Sequence, residues 1–350
     1  MKKYLLPPKN CYKANLHCHS TISDGKITVE ELKELYKRNG YSILAYTDHE
    51  VLVTHSDLND ESFLALPGYE VQIYGDMHLP KRLRRVIHLN FYPKDPDNNV
   101  MPFCNMDDIM RLDKLPDISR AVYLGDGKEY KEYSPKGINS LIAKAKAEGF
   151  IVSHNHPSWS KEDASIYTNL EGLYAMEIYN NGAQLDGHDC YCPYIYEEML
   201  RSGQRIGCIA TDDTHKHEAL FGGFTMVCAD ELSHKAVIGA LEAGDFYASR
   251  GPVIKELWYE NGIFHIECSN AKEIIVSNSG RREPSISIKR SSDCDLTSAE
   301  FPISDLDLFV RFTVVDAEGK TANTRGYWRD EFDASRAIVD FTPRKIRGEY

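Results

Sequence analysis

The histidines of this chain fall where several imidazoles and carboxylates can meet. His17 and His19 form a His-x-His pair at the end of an apolar run, Lys13–His17, that reads as a strand. Residues two apart on a strand face the same way, so both rings can reach one ion. Asp24 follows in Ser23-Asp24-Gly25. A second run, Ile43–Thr47, leads into Asp48-His49, and a third, Phe63–Pro67, is followed by Gly68-Tyr69-Glu70. Val86–Tyr92 carries His88, Phe150–His154 runs into Asn155-His156-Pro157, and Arg205–Thr211 ends in Asp212-Asp213-Thr214-His215. Imidazole with carboxylate and no thiolate suits Zn, Mn or Fe. His17, His19, Asp24, His49, Glu70, His88, His156, Asp213 and His215 are too many ligands for one four-coordinate ion. They suit two to three divalent metal ions, with a carboxylate able to bridge. His55, His78, His188, His217, His234 and His265 read as ordinary surface or core residues.

These groups need a scaffold that brings strand ends together. Helices are expected at Thr28–Asn39, about 135–148 and Ser233–Ala243. Thr28 with Glu31 makes a capping box, Ser134 caps before Pro135, and Gly40, Gly149 and Gly244 close the three. Leu173–Tyr179 is a further strand. Strands alternating with helices predict an α/β fold with a parallel sheet, open or closed into a barrel. In a parallel α/β barrel, active sites assemble at the C-terminal ends of the strands. Past Gly251-Pro252 the pattern changes to apolar alternation with turns at Asn261-Gly262 and Glu318-Gly319, which predicts a small all-β sandwich-like module. The expected division is 1–251 and 252–350, with an Asp-, Pro- and Asn-rich insertion at about 93–135.

Composition narrows the function classes. The chain has 350 residues, which suggests about two domains. Lys plus Arg number 41 and Asp plus Glu 53, a net charge of −12. So acidic a chain is a poor binder of duplex nucleic acid. No apolar run approaches the ~18 residues of a membrane span, and the apolar start Tyr4–Pro8 is shorter than a signal-peptide core. The expected compartment is cytoplasmic, with no membrane partner. The nine cysteines include no CxxC pair and read as reduced, partly buried thiols.

His17-x-His19-x4-Asp24-Gly25, Thr47-Asp48-His49, Glu70, His88, His156-Pro157 and Asp213-x-His215 together resemble the successive motifs of the PHP (polymerase and histidinol phosphatase) family over about residues 13–250. The run Gly244-Asp245-Phe246-Tyr247-Ala248-Ser249-Arg250-Gly251-Pro252 and the β module after it resemble its carbaryl-hydrolase-like (CehA/McbA-like) branch. The resemblance implies a distorted (β/α)7 barrel holding two or three divalent ions. It implies that His17, His19, Glu70 and Asp213 hold one ion. Glu70 would bridge to a second held by His88 and His156, and Asp24, His49 and His215 would hold a third. Many members have a third histidine where this chain has Asp24.

The expected activity is a metal-dependent phosphoesterase, hydrolysing a small phosphomonoester or nucleotide phosphodiester by a metal-activated hydroxide. Hydrolysis of another ester class, an aryl carbamate or carboxylate ester, is the alternative. Glu70, Asp213 and His154 are the candidate catalytic residues. Lys26, Glu177 and Arg250 are the candidate substrate-binding residues for a small-molecule phosphate ester. Lys161 and the basic run Lys81-Arg82-Leu83-Arg84-Arg85 are further candidates for phosphate. Asp48 and Asp212 are expected to orient ligating imidazoles.

Overall fold

The computed structural model describes residues 2–98, 100–101, 109, 122–123, 131–280, 286–291, 294–302 and 308–333. The strand Asn10–Asn15 pairs in parallel with Ile43–Tyr46, which pairs in parallel with Leu64–Pro67. The chain turns at Gly68, and a further strand, Tyr69–Tyr74, begins at once. It pairs antiparallel with Val86–Pro93, itself antiparallel to Phe150–His154. Parallel pairing then resumes through Ala175–Asn180 to Gly207–Thr211. Two isolated bridges, Cys18 to Thr214 and His49 to Glu70, tie these sheets together at one end.

The architecture is therefore mixed α/β and rich in sheet. The expected all-parallel arrangement is corrected at Val86–Pro93, which runs against both of its neighbours. The cause is local: a parallel crossover needs a dozen or more residues, usually a helix, and the link 75–85 is too short for one. The helices form where capping predicts them. Thr28 accepts from the Glu31 amide at the start of Val29–Arg38, and Ser134 accepts from the Gly137 amide at the start of Pro135–Ala147. Ser233 caps His234–Ala243, and Gly244 ends that helix at φ 77°. Most of the expected insertion at 93–135 lies outside the described residues. Among the described residues, no helix is long and apolar enough to cross a membrane.

The C-terminal strands divide between two sheets. Ile254–Glu260, Ile263–Ala271 and Leu296–Pro302 join the N-terminal strand Lys3–Leu6, which the sequence pattern did not reveal. Glu273–Asn278, Phe309–Val315 and Thr321–Thr324 continue through Phe246–Ser249 and Phe224–Ala229 into Asn10–Asn15. Leu6, Leu257, Phe264 and Phe301 from the first sheet bury against Ile274, Phe312 and Val314 from the second. Cys228 and Tyr247 belong to the same apolar cluster, so core and ladder both cross residue 252.

Ending the chain at residue 251 should strip Phe246–Ser249 of its partner Thr321–Thr324 and uncover Tyr247. Exposed edges and apolar faces of this kind drive aggregation. The truncated chain should be recovered mainly as aggregate when size-exclusion chromatography is run beside the full chain. A monomeric, cooperatively folding 1–251 fragment would contradict this packing.

Candidate metal centre

The pairing brings the ligand candidates to one end of the strands. His17 and His19 lie just past Asn10–Asn15, and the Cys18 bridge to Thr214 sets them beside Asp213 and His215. His49 follows Ile43–Tyr46 and is bridged to Glu70, the second residue of its own strand. His88 lies near the start of Val86–Pro93, and the reversed direction of that strand places its beginning at this end. His156 follows Phe150–His154.

Glu70 is the hub. Its Oε1 lies 3.1 Å from His88 Nδ1, 3.2 Å from His17 Nε2 and 3.3 Å from His156 Nε2. Its Oε2 lies 3.0 Å from His49 Nδ1 and 3.4 Å from His19 Nε2. Asn155 donates to Oε1 at 2.7 Å. Burial pushes this carboxyl up, but His88, His17 and His49 outweigh it and hold Glu70 well below the usual carboxylate range. Asp213 Oδ1 is a second focus, 3.2 Å from His19 Nε2 and 3.4 Å from both His17 Nε2 and His215 Nδ1. Asp24 Oδ1 lies 3.3 Å from His215 Nε2, and its Oδ2 lies 3.7 Å from His49 Nε2.

Among the described residues, three groups of side chains converge closely enough to hold an ion: His19, Asp24, His49 and His215; His17, Glu70 and His156; His17, His19 and Asp213. His88 touches Glu70 but joins none of them. The donor chemistry fits divalent ions. Burial, with His215 and His49 nearby, pushes the His19 imidazole down to about 4. Burial likewise pushes His88 down to about 4, against the pull of Glu70. These two rings are neutral at neutral pH and offer lone pairs. Asp213 Oδ1 and His88 Nε2 are buried with no hydrogen-bond partner. The Nε2 atoms of His17 and His19 stand 3.0 Å apart. Such a set is costly without cations between its lone pairs.

Buried carboxylates brace this cluster from behind. Glu177, 1 % exposed, takes His17 Nδ1 at 2.7 Å, Thr211 Oγ1 at 2.8 Å, Asn180 Nδ2 at 2.9 Å and the His156 amide at 3.0 Å. It fixes the His17 proton on Nδ1 and leaves Nε2 free to face the cluster. It also holds His156, whose φ of 21° is unfavourable for a side-chain-bearing residue. Asp48 accepts from the amides and hydroxyls of Ser20 and Ser23, shaping the loop that presents Asp24. Asp212 accepts from Tyr36 and from the Phe221, Gly222 and Gly223 amides. Both therefore organise loops and do not bond ligand imidazoles directly, contrary to expectation.

The cluster floors a cavity of about 490 Å³. Lys26, Lys81 and Lys216 line it with Gln72, Tyr74 and Trp159. Trp159 packs edge-on to His156 and stands at an angle to His88, with centroids 4.9 and 5.4 Å away, and no motif or spacing pointed to it. Three expected roles meet a different geometry. Glu177 sits behind His17 with its oxygens engaged, not at the cavity surface. His154 is buried, with Nε2 2.9 Å from each Glu162 oxygen, and does not reach the cluster. The strand ends at His154 and His156 leaves it at positive φ, so the two rings do not share a strand face. The Arg250 guanidinium packs on the rings of Tyr179 and Tyr191, 4.6 and 5.5 Å from their centroids. Arg250 and Lys161 are not among the residues lining the cavity.

No family model and no curated protein matches this chain. Among solved structures it is similar to a two-domain protein from Bacteroides vulgatus containing a predicted PHP-like metal-dependent phosphoesterase. That match has 14 % identity and a TM-score of 0.43, covering 93 % of this chain and 98 % of the other. A proposed metal-dependent phosphoesterase from Bifidobacterium adolescentis matches with 17 % identity and a TM-score of 0.35, over 58 % of this chain and 87 % of its own. An amidohydrolase from Chromobacterium violaceum, with bound sulfate and no metal, matches with 16 % identity and a TM-score of 0.36 over the same shares, 58 % and 87 %.

Replacing Glu177 by Ala removes the acceptor shared by His17, Thr211 and the His156 amide. Metal affinity should fall on the order of 10- to 100-fold, the usual cost of losing a buried partner behind a ligand. Glu177→Gln keeps the volume and one acceptor oxygen, so its loss should be smaller. Competition with a fluorescent chelator, with circular dichroism to confirm folding, reads the difference. Unchanged affinity in a folded Glu177→Ala protein would remove Glu177 from the site.

Proposed function

We propose that this chain is a metal-dependent hydrolase whose substrate is a small phosphate ester, a phosphomonoester or nucleotide phosphodiester. The observation that carries the reading is Glu70: one buried carboxylate within 3.4 Å of five imidazoles, at the floor of a cavity with lysines on its walls. The His/Asp/Glu set suits Zn, Mn or Fe, and two to three ions match its three convergent groups. Bound divalent ions supply water activation at neutral pH and charge neutralisation at phosphate oxygens. The chain's own residues do the rest. Glu70 fixes the spacing of the groups on either side of it. Asp24, His49 and His215 form the outer group, and Lys26, Lys81 and Lys216 meet the substrate anion. Trp159 and Tyr74 form the wall against which an organic leaving group packs.

The proposal includes a distorted (β/α)7 arrangement for 1–251, a ring of strands closed by the Cys18–Thr214 and His49–Glu70 bridges, and a sandwich-like module at 252–350. Elemental analysis of the purified chain, coupled to a panel of phosphomonoesters, phosphodiesters and aryl carboxylate and carbamate esters, tests the function. Phosphate-ester turnover that a chelator abolishes supports it. Turnover confined to aryl carboxylate or carbamate esters would favour the other ester class.

The division of labour can be separated by mutation. Glu70→Ala should remove two ions together and nearly abolish turnover, since a displacement of ~1 Å at a reacting centre can cost about 10²-fold. His215→Ala should lose one ion, weaken substrate binding and leave a slower but measurable rate. Metal content and kcat/KM of both variants decide. Loss of every ion in His215→Ala, or full activity in Glu70→Ala, would show a different partition.

Proton release gives an independent check. Burial opposes charge on His215, but Asp213 and Asp24 outweigh it and raise the imidazole to about 9. The metal-free protein therefore holds a proton there at pH 7, and a cation must displace it. Affinity should rise with pH between about 6 and 9, with calorimetric heats that scale with buffer ionisation enthalpy. Affinity independent of pH would contradict imidazole ligation.

A further inference from the structure

A pair of thiols lies in the ladder between Asn10–Asn15 and Phe224–Ala229, outside the ligand cluster. Cys11 and Cys228 are direct partners in the antiparallel ladder between Asn10–Asn15 and Phe224–Ala229. Their Sγ atoms are 3.0 Å apart. Directly opposed residues of an antiparallel pair have Cα atoms roughly 4.5–5.5 Å apart, inside the range a disulfide spans. Cys11 is exposed and Cys228 is buried. The other described cysteines have no thiol as a neighbour in this way. Cys294, also exposed, is a natural control.

We propose that Cys11 and Cys228 are a redox-modifiable pair that closes to a disulfide by exchange with a low-molecular-weight disulfide such as oxidised glutathione. Cys11 is the attacking thiol because it is the exposed member and because its hydrogen bond with Cys228 lowers its thiol below the ordinary value, against burial. Its thiolate attacks one sulfur of the small disulfide. That S–S bond breaks, a mixed disulfide forms at Cys11, and one small thiolate leaves with the electron pair. Cys228 then attacks Cys11 Sγ, its proton passing to the departing second thiolate. The mixed disulfide breaks and the cross-strand bond forms. Two protein thiols are oxidised, and one small disulfide is reduced to two thiols. The bond links residues 11 and 228 and so constrains a very long loop in the unfolded chain.

The test uses the reduced, full-length protein incubated with oxidised glutathione. Intact mass, free-thiol count and peptide mapping after alkylation are the readouts. The Cys11 and Cys228 thiols should vanish as a pair, the peptides carrying them should become linked, and dithiothreitol should restore both. The oxidised chain should unfold at a higher temperature than the reduced one. Cys294 should stop at the mixed disulfide. Cys228→Ser should leave Cys11 carrying one glutathionyl group, with no internal bond. Wild-type protein that stops at a glutathionyl group on Cys11, or keeps Cys228 open to alkylation once unfolded, would overturn the proposal. The wild-type peptide map decides even if Cys228→Ser does not fold.

Discussion

One buried carboxylate constrains the rest of this structure. Glu70 is 1 % exposed and is approached by His17, His19, His49, His88 and His156. A carboxylate taken out of water is costly unless positive charge and hydrogen-bond donors surround it. Each ring must therefore stand at a fixed distance, and the five rings come from four segments, His17 and His19 sharing one. Small errors in any segment would leave lone pairs facing one another without a cation between them.

The fold meets that demand with reversed strands and braced loops. Val86–Pro93 runs against its neighbours, so His88 enters from the start of a strand while most other ligands enter from strand ends. Asp48, Asp212 and Glu177 then hold the loops behind the ligands through backbone amides and hydroxyls. Glu177 does this for two ligands at once, through the His17 ring and the His156 amide. The backbone is unfavourable where the chemistry concentrates: His156 and Asp213 both have positive φ. Non-glycine residues in such conformations cluster at functional sites and persist only when their surroundings over-determine them.

Much of this was legible in the sequence. Except for His88, which lies within its run, the ligand candidates are polar groups at or after the ends of apolar runs, and such runs must be buried, so their ends meet. Helix ends were legible because Thr28, Ser134, Ser233 and Gly244 act within one turn. Strand direction was not, because apolar runs carry no sign. Tyr69–Tyr74 was hidden because Pro67-Gly68 reads as the end of a strand, while the chain only turns there and continues in sheet. His154 and Glu177 do not line the cavity, for a related reason. Spacing of two or three residues implies a shared face only while the strand lasts, and it ends at His154. Burial by distant segments, as for Glu177 against His17 and Thr211, leaves no local pattern. Lys3–Leu6 pairs with a strand more than two hundred residues away, a contact no local signal encodes.

In the proposed reading Glu70 stands between bound divalent ions. Crystals of the purified full chain, with anomalous diffraction recorded on both sides of the Zn, Mn and Fe absorption edges, test it most directly. Two to three anomalous peaks should appear, each about 2.0–2.2 Å from imidazole nitrogens and carboxylate oxygens of the cluster. Glu70 should contribute oxygens to two of them. No peak within reach of Glu70 in crystals grown with these metals, or peaks held only by residues outside the cluster, would contradict it.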